Sequence, residues 1–152
     1  MRENGLRRGM LLLSAAAVLM AVVTAWGPLR MEFRTRQLET ALRGLPEGET
    51  TLEEAIPFPW EQAFFFGPYT TREEMETATG VEGGDFRSSV SEGQLQLALV
   101  QGERLLVSVC DYPDRLGYSI ESPGPVAFGE HVRFSVEKRG ALTALRAIPP
   151  EK

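Results

Sequence analysis

Residues 94–109 read QLQLALVQGERLLVSV. Leu95, Leu97 and Leu99 alternate with Gln94, Gln96 and Ala98, Gln101-Gly102-Glu103 turns the chain, and Leu105, Val107 and Val109 alternate on the way back. Successive side chains of a strand point to opposite faces, so this pattern predicts an antiparallel hairpin with one face on a core and one face in water. The pattern recurs at 131–137, where Val132, Phe134 and Val136 point inward. Arg139-Gly140 then turns the chain into a strand over 141–148 that Pro149-Pro150 closes. A one-residue slip would turn every leucine of 94–100 to the wrong face, so the register of this hairpin is expected to specify the fold.

Upstream, residues 81–93 contain Gly83-Gly84, Ser88-Ser89 and Gly93 without periodicity and read as a loop. Before it, Thr71 with Glu74 forms a capping box, Glu73, Glu74 and Glu76 favour the positive helix end, Met75 and Ala78 face inward, and Gly80 stops the helix. Residues 63–66 form a short strand covered on both faces, ended by Gly67-Pro68. Pro46 to Glu54 reads as a linker or a short capped turn of helix at Thr51-Leu52-Glu53-Glu54, and Asp111 to Pro125 as a long irregular connection. The fold class expected is α+β, a small antiparallel β-sheet of four or five strands with the helix over 71–79 across one face.

The N-terminal part is of a different kind. Residues 1–30 carry Arg2, Arg7, Arg8 and Arg30 against Glu3, and between Gly9 and Leu29 there is no ionisable side chain. A helix over those residues would be about 30 Å long, the thickness of a bilayer hydrocarbon core. Residues 9–29 are therefore expected to be a transmembrane signal-anchor behind a basic tail, 1–8, with Trp26 and Arg30 at the interface. A signal peptide cleaved after Ala25 is the alternative, and either one exports the rest of the chain. Gly27-Pro28 ends or kinks that segment. Residues 30–45 read as a juxtamembrane helix whose apolar face is Leu38, Ala41, Leu42 and Leu45, and 46–152 as the extracytoplasmic domain.

Charge and composition narrow the function classes. The 152 residues carry 16 Lys+Arg and 21 Asp+Glu, a net charge of −5, and residues 44–103 alone hold twelve acids against Arg72 and Arg87. Such acidity argues against a nucleic-acid partner and reads as a solvated acidic face. One cysteine excludes an internal disulfide, and one histidine leaves little for a metal site. No phosphate loop or hydrolase elbow occurs, so neither a cofactor nor a metal is expected.

Leu52 to Gly80, with Trp60-Glu61, Phe66-Gly67-Pro68-Tyr69-Thr70-Thr71 and Glu74-Met75, followed by the strand pair at 95–110, resembles a group of small uncharacterised exported or membrane-anchored bacterial proteins. Their pattern is a Trp-acid pair, a short strand, a Pro-Tyr-Thr-Ser/Thr step into a capped helix, and a strand-turn-strand. This chain differs in having Glu61 where Asp is more usual, and a longer, Arg-containing C-terminal hairpin. The resemblance covers residues 50–110 and implies architecture and an exported location, but no activity.

For catalysis the candidates are Cys110 and His131, oriented by Asp111 or Asp114, and nothing in the sequence places the thiol beside the imidazole. For binding they are aromatic. Phe58, Trp60, Phe64, Phe65, Phe66 and Tyr69 fall within twelve residues. Core packing is expected to take Phe64, Phe66 and Trp60 inward. Strand alternation turns Phe65 to the opposite side, where another element, lipid or a partner must cover it. Trp60 with Tyr69 would otherwise form an exposed recognition patch, so Trp60, Phe65 and Tyr69 are the candidate binding residues. The expectation is a non-enzymatic, single-pass membrane protein with an extracytoplasmic interaction or envelope accessory domain. Its partners would be lipid, through the N-terminal helix, and an envelope protein. A secreted ligand-binding protein or inhibitor and an exported enzyme using Cys110 and His131 are the alternatives.

Overall fold

The computed structural model describes residues 29–150. The expected basic tail, nearly all of the expected membrane segment and the alternative cleavage site after Ala25 lie outside them. Among the described residues no helix is long and apolar enough to cross a membrane.

Residues 29–43 are helical (α1). They are followed by β1 (Gly48–Thr51), α2 (Leu52–Ala55), β2 (Gln62–Phe66), α3 (Arg72–Thr79), β3 (Leu95–Gln101), β4 (Arg104–Asp111), α4 (Pro113–Leu116), β5 (Tyr118–Glu121), β6 (Val126–Ala127), β7 (Arg133–Arg139) and β8 (Leu142–Ala147). The α+β class holds, but the strands form two four-stranded sheets instead of one. Their orders are β1-β7-β8-β5 and β4-β3-β2-β6. All pairs are antiparallel except β5 with β8.

One core fills the space between the sheets. Ala63, Leu97, Leu99, Val107 and Val109 from one sheet meet Tyr118, Ile120, Phe134, Val136 and Leu145 from the other. Leu38 and Leu42 of α1 are fully buried in the same core. Each such leucine contributes about 2 kcal/mol of burial, enough to hold α1 on the domain instead of leaving it to lipid or to a second chain.

The outer face of the β1-β7-β8-β5 sheet is wet, as the alternation of 131–137 predicts. Arg133 pairs with Glu49 at 3.3 Å and Arg146 with Glu121 at 2.8 Å across neighbouring strands. The outer face of the other sheet corrects the expectation. It carries a second apolar cluster of Met75, Val81, Phe86, Ala98 and Val100, with Phe64, Phe66 and Leu105 against it. Thus residues 81–93, expected as a loop, form no strand or helix but supply Val81 and Phe86 as a lid over the sheet. A register shift between Leu99 and Val100 sends Leu105 to this outer cluster while Leu106 joins Val107 and Val109 inside. The regular alternation expected for 105–109 therefore fails at its first position.

Polar residues of β3 and β4 hold that lid. Gln96 is buried, its Nε2 donates to the Gly67 carbonyl at 2.9 Å, and its Oε1 accepts from Ser89 N–H at 3.3 Å. Buried Ser108 Oγ accepts from Arg87 N–H at 2.8 Å. These groups satisfy the backbone of a segment with few ladder bonds of its own.

The capping signals are realised. Thr71 caps α3 reciprocally with Glu74, and Gly80 ends it at φ 71°, a left-handed conformation that favours glycine. Met75 is buried but Ala78 is exposed, contrary to the expected inward face, because a helix of eight residues meets the lid through one turn only. The capped turn expected at Thr51-Leu52-Glu53-Glu54 is realised as α2, with Thr51 and Glu54 as its capping box. Two corrections concern segments expected to be irregular: 46–54 also contains β1, and 111–125 contains α4 and β5.

Candidate functional site

The three aromatic candidates do not share a surface. Trp60 is 3% exposed, packed in the main core and edge-on to Phe128 at a centroid distance of 5.4 Å. Phe65 does face away from Phe64 and Phe66 and lies half-buried against the main core, while Phe64 and Phe66 stack at 6.1 Å on the opposite face. Tyr69 is 63% exposed. It occupies the third position of a turn over Gly67–Thr70 with φ 69°, a conformation costly for a residue with a Cβ.

The catalytic candidates are also apart. Cys110 lies on β4, one edge strand of its sheet, whereas His131 lies in the loop between β7 and β6, the strand at the opposite edge of that sheet. Cys110 donates to Gln94 Oε1 at 3.3 Å. Burial and then the Asp111 charge push its thiol pKa up, with Arg87 opposing, so the nucleophilic thiolate is disfavoured. His131 is 78% exposed and backed by Glu53, whose Oε1 also accepts N–H bonds from Gly129 at 2.9 Å and from His131 itself at 3.1 Å. Burial raises the Glu53 pKa, but these bonds, one to its own backbone and one from Thr51 outweigh it and leave the carboxyl below the usual range. Glu53 is thus a clasp for the 128–131 loop.

Glu61, the acid beside Trp60, has a structural task as well. Its Oε2 accepts from Gly102 N–H at 2.8 Å and fastens the β3-β4 turn, while its main chain bonds Val100 and Phe128.

The principal recess, of about 890 Å³, opens where the two sheets diverge. Phe65, Phe66 and Leu95 form one wall and Ile120, Ala147 and Ile148 the other. Pro113, Pro123, Pro149 and Pro150 contribute further apolar surface, and the Glu121–Arg146 ion pair stands on the rim. An apolar trough with few polar groups suits an apolar chain or side chain better than a polar metabolite. Its lining offers neither a nucleophile next to a base nor two facing acids. Among the described residues no three His, Cys, Asp or Glu side chains cluster as metal ligands.

Of the candidates, only Phe65 lines this recess. The other wall was missed because 111–125 reads as irregular, although Tyr118-Ser119-Ile120 after Gly117 carries the alternation of a short strand. Comparison of the chain with family models, with curated proteins and with solved structures gives no match.

Proposed function

We propose that this is a single-pass, membrane-anchored protein whose extracytoplasmic domain is a non-enzymatic interaction module of the cell envelope. The observation that carries the reading is the attachment of α1. The described helical residues 29–43 follow the apolar stretch 9–29 in the chain and are fixed to the domain by Leu38 and Leu42. Among the described residues, then, no flexible tether separates the domain from the end of that stretch. The apolar recess beside Phe65 is the site it would offer to a partner segment, and the separation of Cys110 from His131 weighs against the enzyme alternative.

The test is photo-crosslinking of the full chain in membranes from a reactive residue at Ser122, half-buried beside the recess, with exposed Thr77 on α3 as control. A discrete adduct from Ser122, absent from Thr77 and lost when Ile148→Glu puts a charge into the recess, supports the reading. Equal labelling at both positions contradicts it.

A further inference from the structure

The edge of β2 beside the recess is covered over only part of its length. β2 pairs with β3 from Gln62 to Phe66, but with β6 only at Gln62 and Ala63. The Phe128 N–H donates to the Glu61 carbonyl at 2.7 Å, and this bond sets the phase of the β2-β6 ladder. Main-chain groups of an antiparallel strand alternate between its two neighbours, so Ala63 and Phe65 turn theirs toward the β6 side and Phe64 and Phe66 toward β3. Phe65 thus presents one N–H and one C=O to an edge that β6 has already left. Continued register would set Gly124 opposite Phe65, but there the Gly124 carbonyl accepts from Ser122 Oγ at 2.7 Å. Among the described residues neither main-chain group of Phe65 has a main-chain partner.

The same residue supplies apolar surface. Phe65 lines the recess, across from Ile120 and Ile148. An N–H and a C=O in ladder phase complement a second extended backbone, whereas an acyl chain has neither donor nor acceptor for them. Side chains of a strand added there would alternate, and those on the inward phase would enter the recess. Glu121 and Arg146 pair with each other at 2.8 Å on the rim, so an uncharged segment fits better than a charged one. The adjoining space is open: apart from its chain neighbours, no heavy atom lies within 4 Å of the position a Cβ at Gly124 would take. Two copies of this chain pair poorly through Phe65. A two-fold contact would set Ala63 of one copy opposite Gly67 of the other, where β6 already stands.

We propose that the recess takes a short extended segment of a partner protein, which pairs with the uncovered edge of β2 through the main chain of Phe65 and sets uncharged apolar side chains against Phe65, Ile120 and Ile148. This rests on the reading of the recess as a partner site. It adds the conformation of the partner segment and the chemistry that recognises it. The uncovered part of β2 runs only from Phe64 to Phe66, so the added strand is short and its side chains carry much of the contact.

The test uses the full chain and a heptapeptide selected for binding to it from a displayed library of random linear sequences, with residue-resolved amide exchange as the readout. In the free chain the Phe65 amide is expected to exchange faster than those of Phe64 and Phe66, which face β3. Saturating peptide should slow the Phe65 amide roughly tenfold or more and leave its two neighbours unchanged. N-methylation along the peptide should abolish that protection at alternate positions only. A Phe65 amide already as slow as its neighbours, a peptide that binds without slowing it, or a library that yields no binder overturns the strand pairing. If the Ser122 adduct still forms in that case, the interaction module stands; if it is lost too, both readings fall. Slowing of Phe65 by raised protein concentration alone overturns the proposal in favour of a second copy. Loss of the Ser122 adduct on adding palmitate, with no peptide binder, overturns it in favour of an acyl chain.

Discussion

Lys138 Nζ donates to the main-chain carbonyl of Arg43 at 2.7 Å, joining the C-terminal end of α1 to β7. The same ammonium reaches Thr143 Oγ1 at 2.8 Å on the paired strand, and a positive charge at that helix end also complements the helix dipole. Because Lys138 is exposed, the contact is worth about 1 kcal/mol, less than the burial of Leu38 and Leu42. Lys138→Met is therefore expected to lower stability by about that amount, with faster amide exchange concentrated in residues 38–45. Leu42→Ala should cost about 3 kcal/mol. Chemical denaturation of both variants checks the order, and a larger loss from Lys138→Met would contradict it.

Gln96→Leu should destabilise the domain by about 2 kcal/mol despite adding apolar surface. It leaves the half-buried Ser89 N–H without its side-chain acceptor and removes one donor from the Gly67 carbonyl, which keeps Thr70 Oγ1 at 2.8 Å. Denaturation midpoints decide the matter: a neutral or stabilised variant would mean that water replaces the side chain.

That glutamine marks where sequence reading stops. Strand alternation in 94–100 gave the hairpin and the inward leucines, but a polar residue on the other phase looks the same whether it meets water or a folded-back loop. Local signals succeeded where they were self-contained, as in the Thr71-Glu74 box and the glycine at 80. β1 and β5 escaped because each has only four residues and takes its stability from a distant partner, β7 or β8. Phe65 was legible as the residue facing away from its neighbours, whereas the far wall of its recess depends on the parallel pairing of β5, which no local pattern announces.

Tyr69→Asn should raise stability by roughly 0.5–1 kcal/mol. Asparagine accepts the left-handed backbone at φ 69° more readily, and the exposed ring gives up little packing. Thermal unfolding checks this, and a loss of stability would assign the ring a contact that outweighs the strain.

The Glu53 clasp predicts an acid-sensitive loop. A carboxyl whose folded pKa lies below its unfolded value contributes stability that is full above the unfolded pKa and is lost as pH falls through the folded one. Amide exchange at Gly129 and His131, corrected for intrinsic rates, should therefore accelerate on acidification below the usual carboxylate range. Glu53→Gln should remove most of that pH dependence. Unchanged pH dependence in the variant would assign the acid limb to another group.

The reading of the domain as a membrane-anchored module depends on the anchor, which the mass and sidedness of the mature chain test. After alkaline extraction of membranes, the intact chain of 152 residues is expected in the pellet, with the domain digested by protease added from outside. A chain recovered from the medium and beginning after Ala25, or a domain protected from external protease, would contradict the anchor.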